Sequence, residues 1–146
     1  MNLRNIAVAA GLMAILALPG LHAQSQGSKM TQELIHVGQA MVQVSGVLLL
    51  NLKAHQGERS VGTYASRIAS ANLALVKQIR APKEAKTLHK YLLEMANNFS
   101  KAVNAYNKGD YKTSNDYGAD VMETAGKVKR ELNNLGRKGV IPRARP

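Results

Sequence analysis

The chain has 146 residues, 45% of them hydrophobic, and carries 20 lysines and arginines against 9 acids, a formal net charge of +11. That length supports one domain with its own core, and the absence of cysteine excludes disulfide scaffolds, zinc-thiolate sites, covalent c-type haem and cysteine nucleophiles. With no tryptophan and one phenylalanine, the core must be built mainly from aliphatic side chains.

The first segment reads as a targeting signal. Arg4 supplies a positive start, Ile6 to Leu18 an apolar run of 13 residues, Pro19-Gly20 a break, and Leu21-His22-Ala23 a small-residue cleavage site. The run is shorter than the roughly 20 apolar residues that span a bilayer, so a cleaved signal peptide over residues 1–23 is expected rather than a transmembrane anchor. No cysteine follows it to be acylated. The mature chain then begins at Gln24 in the periplasm or outside the cell, with 19 basic and 9 acidic residues, +10.

Four helical patterns follow. The first is capped at Ser28 and carries Met30, Leu34, Val37, Met41, Val44 and Leu48 at alternating steps of four and three, a heptad seam that breaks at Gln56-Gly57. Ile35, Val42, Val47, Leu49 and Leu50 widen its apolar face. The second is capped at Ser60, with Val61, Tyr64, Ile68, Ala71, Leu75 and Ile79 in the same rhythm, and Ala81-Pro82 forces its end.

The third pattern is the most regular. Pro82 sits in its first turn, Ala85, Leu88, Leu92, Met95, Phe99, Ala102 and Tyr106 share one stripe, and Asn107-Lys108-Gly109-Asp110 supplies a stop and a fresh cap. The fourth starts at Asp110 and carries Ser114, Gly118, Val121, Ala125, Val128, Leu132 and Leu135, ending with Gly136 as the residue after the last turn. Four helices joined by short connections bury four stripes together by running antiparallel to their sequence neighbours. The expected fold is all-α, an up-down-up-down antiparallel four-helix bundle over residues 24–136. A pair of tetratricopeptide-like hairpins is the competing view, suggested by AYNKGDYKTSNDYGADVMETA, but no 34-residue repeat recurs.

The chain ends in a change of character. Lys127, Lys129, Arg130, Arg137, Lys138, Arg143 and Arg145 stand against the single acid Glu131, and Gly139, Pro142 and Pro146 discourage further helix. Residues 137–146 read as a basic tail, and these seven cations are the candidate polyanion-binding residues. Their partner would be an anionic envelope polymer, a lipid surface, an acidic protein or nucleic acid. The plainer reading is a solvated terminus, and no aromatic side chains interleave the cations as they would on a base-stacking platform.

Other constellations are thin. Glu33-Leu34-Ile35-His36 has the Glu-x-x-His spacing of ferritin-like di-iron bundles, but neither Glu84 nor Glu94 begins a second such motif. Met30, Met41 and Met95 fall at seam spacing with Met122 beside it, as packing residues do. His55 ends the first helix, where the dipole favours a cation, and His89 lies beside the third stripe. No Ser-His-Asp order and no glycine-rich phosphate loop is present.

An exported bundle with a turn like Asn107-Lys108-Gly109-Asp110-Tyr111-Lys112 before its last helix resembles the periplasmic haem bundles, the cytochromes of the b and c-prime types. In the b type that resemblance implies a methionine ligand early in the first helix, where Met30 stands, and a histidine on the last helix, which contains none. The c-prime type implies Cys-x-x-Cys-His, also absent. No cofactor is therefore expected. The reading is a non-catalytic binding or structural module acting at the cell envelope through a basic surface and tail, with a small-ligand or haem/metal carrier using the bundle core as the alternative.

Overall fold

Four runs of apolar residues become four α-helices in the computed structural model, which describes residues 26–138. They are α1 (Gln26–Ala54), α2 (Arg59–Gln78), α3 (Lys86–Asn107) and α4 (Tyr111–Arg137), with one 3₁₀ turn, Lys83–Ala85, leading into α3. No strand occurs among the described residues. Residues 1–23, where a signal peptide is expected, lie outside them.

Local chemistry sets the breaks. Gly57 (φ 89°) and Gly109 (φ 77°) take the left-handed backbone that other residues resist, and each sits where the chain leaves one helix for the next. At Gly109 the pattern is a Schellman motif: its N–H reaches the Tyr106 carbonyl at 2.9 Å, and the Asp110 N–H reaches Ala105 at 3.0 Å. Asp110 Oδ1 then accepts the Thr113 N–H at 3.0 Å and caps α4.

Some boundaries differ from the sequence expectation. Ser28 lies within α1, and Glu58, not Ser60, occupies the N-cap of α2, without a side-chain cap bond. Pro82 caps the 3₁₀ turn rather than α3 itself. Gly136 stays helical and Lys138 is the C-cap of α4, so Arg137 belongs to the helix and not to a tail. The last turn continues because the Lys138 N–H still finds the Asn134 carbonyl at 3.1 Å.

The helices pack through one core in which Leu34, Met41, Val76, Leu88, Leu92, Met95, Phe99, Val121, Val128 and Leu135 are buried. All seven positions of the α3 stripe are buried, and six of the seven in α4, Leu132 being half-buried. In α1 the seam keeps Leu34, Met41 and Leu48, but its alternate positions are Thr31, Gly38, Ser45 and Leu52 in place of Met30, Val37 and Val44. In α2 the stripe lies one residue later, at Gly62, Ala65, Ala69, Asn72 and Val76, leaving Tyr64 exposed. Small residues win because they let helices approach: a Cβ on Gly38 would stand 3.4 Å from Leu92 and 3.7 Å from Val128, where α1, α3 and α4 meet.

Side-chain bonds show which helix ends lie together. Thr31 Oγ1 donates to Glu84 at 3.1 Å, His89 Nε2 lies 2.8 Å from the Val76 carbonyl oxygen, and Thr124 Oγ1 donates to Glu94 at 3.2 Å. The start of α1, the end of α2 and the start of α3 therefore lie together, and the middle of α4 meets α3 at Glu94. At the other end of α3, the Tyr106 hydroxyl donates to the His55 carbonyl, and its ring meets Tyr111 edge-on at 5.4 Å. Lys29–Ala54 is also long and apolar enough to cross a membrane by length and composition, with a mean hydropathy of 1.4. Its inner face packs in this core.

Candidate functional site

Five of the seven candidate cations are in the described structure: Lys127, Lys129, Arg130, Arg137 and Lys138; Arg143 and Arg145 lie outside it. They do not form one patch. Lys127 Nζ sits 3.1 Å from Glu123 and 3.2 Å from Glu94, and these two hydrogen-bonded carboxylates hold its ammonium above the ordinary lysine pKa. Its charge is matched on the spot. Lys129 is about 200° around the helix from Lys127 and exposed. Arg130 and Arg137, seven residues apart, share an exposed face, with Arg130 Nη1 lying 3.8 Å from the Cβ position of Gly126.

The packing adds cations that the chain-terminal reading missed. Lys77, Arg80, Lys83, Lys86 and Lys90 run through the α2–α3 connection and are all exposed. The Val76–His89 contact holds the two sides of that connection together, and Glu94 meets Lys127 of α4 just beyond it. Lys29 joins from the start of α1. Counted over the described residues with each helix cut at its midpoint, a cut that the Lys127–Glu123 pair straddles, the half made of the start of α1, the end of α2, the start of α3 and the end of α4 holds eleven lysines and arginines against four acids, +7. The opposite half holds six against five, +1. The local signal was available, since Glu84 is the only acid between Lys77 and Lys90.

Some of this charge has a structural use. Lys77 and Arg137 stand in the last turns of α2 and α4, where the helix dipole favours a cation by about 0.3–1 kcal/mol. Lys86 has the reverse placement, at the start of α3, whose first turn contains no acid, and Lys83 lies in the 3₁₀ turn before it, next to Glu84. The dipole opposes a cation at Lys86, so helix stability does not account for it.

The remaining candidates fall elsewhere. Glu33 and His36 are exposed on α1 and Met30 is half-buried, while Met41 and Met95 are core residues and Met122 is exposed. His55 Nδ1 pairs with Glu58 at 2.9 Å. Among the described residues, no three His, Asp or Glu side chains converge as a metal site would need. No protein-family model, curated protein or solved structure matches the chain.

Proposed function

We propose that the protein is an exported, non-catalytic helical module that binds a polyanion of the cell envelope through one end of an up-down-up-down antiparallel bundle. The observation that carries this reading is the division of charge, +7 in one half of the described residues and +1 in the other. Lys86 at the start of α3 adds to it, because it opposes the dipole of its own helix. The bundle topology draws support from the contacts Thr31–Glu84 and Val76–His89 at one end of α3, Glu94–Lys127 in its middle and Tyr106–His55 at its other end. Export rests on the Arg4 to Ala23 signal pattern.

The mechanism is electrostatic capture. Exposed lysines and arginines exchange bound counterions for the fixed charges of the polymer, so affinity should fall steeply with salt. The test compares two triple variants of the mature chain for binding to polyphosphate over a salt series. Arg80→Glu/Lys83→Glu/Lys86→Glu should weaken binding much more than Arg67→Glu/Lys108→Glu/Lys112→Glu, which changes net charge equally at the opposite end. Equal weakening by both would reduce the effect to net charge and remove the site.

A further inference from the structure

The outer face of α1 has no account in the bundle. Its inner seam is occupied by the core, yet Gln43, Val47, Leu50 and Ala54 continue a second heptad line, at steps of four, three and four, on the face turned away. Val47 is 56% and Leu50 70% exposed, and a Cβ added at neighbouring Gly46 would meet nothing within 4 Å. Met122, 55% exposed, extends the apolar surface onto α4. It lies one turn beyond Gly118, whose Cβ position is 3.3 Å from Leu49 Cδ2.

The same stretch is devoid of charge. Between Glu33 and Lys53, α1 contains no Asp, Glu, Lys or Arg, in a chain of net charge +11. A solvent-facing helix ordinarily carries charged residues on its outer side, and exposed contiguous apolar surface marks a contact site.

We infer that this face is covered by a second copy of the chain, α1 lying antiparallel against α1 across a twofold axis near Leu48 and Leu49. The spacing is its own mirror image: Gln43, Val47, Leu50 and Ala54 of one copy fall opposite Ala54, Leu50, Val47 and Gln43 of the other. Such self-complementarity is what a twofold interface requires. Charge selects this occupant. The stripe's C-terminal part lies in the half that carries only +1, so two copies meet there with little repulsion and keep their +7 ends apart. Along α1 itself an anionic polymer or headgroup layer would find only Lys53 beside the stripe, where interfacial helices present a strongly charged, Lys/Arg-rich face.

The test is sedimentation equilibrium of the mature chain from micromolar to submillimolar concentration. Wild type should pass from monomer to dimer, and Leu50→Glu and Val47→Glu should each weaken dimerisation by roughly tenfold or more, as loss of a central apolar contact does. Leu50→Met should retain it. Far-ultraviolet circular dichroism checks that the variants remain helical, as substitution at exposed positions allows. Because the chain has no cysteine, an equimolar mixture of Val47→Cys and Leu50→Cys chains, whose cysteines fall opposite each other, gives a second readout. It should form a disulfide-linked mixed dimer under mild oxidation, whereas a mixture of Leu50→Cys with Thr63→Cys, on the exposed face of α2, should not. A monomer at every concentration, or a dimer indifferent to both glutamate variants, overturns the proposal. Binding to neutral phosphatidylcholine vesicles that Leu50→Glu abolishes, in a protein that stays monomeric, would assign the face to lipid instead.

Discussion

The ring of Tyr106, together with the side-chain oxygen of Asn107, which lies closer still, occupies the space into which a side chain on Gly62 would project: a Cβ there would stand 2.9 Å from Cε1 and 3.0 Å from Cδ1 of the ring. The ring cannot simply swing away, because its hydroxyl donates to the His55 carbonyl and lies 3.3 Å from that of Glu58. One tyrosine thus fastens the end of α3 to the α1–α2 turn, and a glycine in α2 makes room for it.

Gly62→Ala should therefore destabilise the protein, since overpacking costs about 1–3 kcal/mol, against at most about 1 kcal/mol gained in helix propensity. Gly46→Ala is the control with opposite sign. Its Cβ meets nothing, so the propensity term of about 0.5–1 kcal/mol should appear as added stability. Urea denaturation of both variants decides it; a stabilised Gly62→Ala would mean that the Tyr106 contact is loose.

Leu92→Asp should cost roughly 4 kcal/mol or more, because it places an unpaired charge at a fully buried position. Leu92 touches the space beside Gly38, with Val128 close by, so the damage reaches three helices. An unchanged melting temperature would mean that the central seam is not where α3 packs.

Asn72→Leu should raise stability by about 1–2 kcal/mol. Asn72 is 5% exposed, and its Nδ2 has no hydrogen-bond partner; a buried donor left unpaired carries a desolvation cost that an apolar side chain of similar shape avoids. Lower stability on thermal melting would show that Asn72 does find a partner, for which unpartnered Ser45 Oγ is the other orphan in the core.

Asp110 and Tyr106 should each make stability depend on pH. The Thr113 N–H and side chain hold the Asp110 carboxyl below its usual pKa, so its contribution is present above the unfolded value of about 3.9 and is lost as pH falls through the lower folded value. Burial pushes the Tyr106 hydroxyl up. Its contribution is complete below about pH 10 and disappears as pH rises through the folded value. Melting temperature against pH should lose part of its acid slope in Asp110→Ala and part of its alkaline slope in Tyr106→Phe. Slopes identical to wild type would exclude these groups.

The α3 stripe was legible because its large apolar residues, from Leu88 through Phe99 to Tyr106, all lie on the buried face, although Ala96, Val103 and Ala105 are buried beside it. In α1 and α2 that equivalence fails. Close helix approach buries Gly38, Ser45, Gly62 and Ala65, which hydrophobicity ranks low, and leaves Val47, Leu50 and Tyr64 outside. The candidate site divides in the same way. Charge counting along the chain finds Arg130 and Arg137, but the neutralisation of Lys127 by Glu94 from another helix is a tertiary event. So is the meeting of the α2–α3 connection with the start of α1, through Thr31 and Glu84.

The unequal division of charge also makes each monomer an electric dipole, whose component along the helices an antiparallel α1 pairing would cancel. Its long axis follows helices of 20 to 29 residues, about 30–43 Å in length, whereas the field of a charged wall decays over about 8–10 Å in dilute salt. Such a field acts on one end at a time, and so exerts a torque before contact. The bundle would arrive upright, with the turns holding Gly57 and Gly109 pointing away from the wall, and its footprint would be the cross-section of four helices rather than their length.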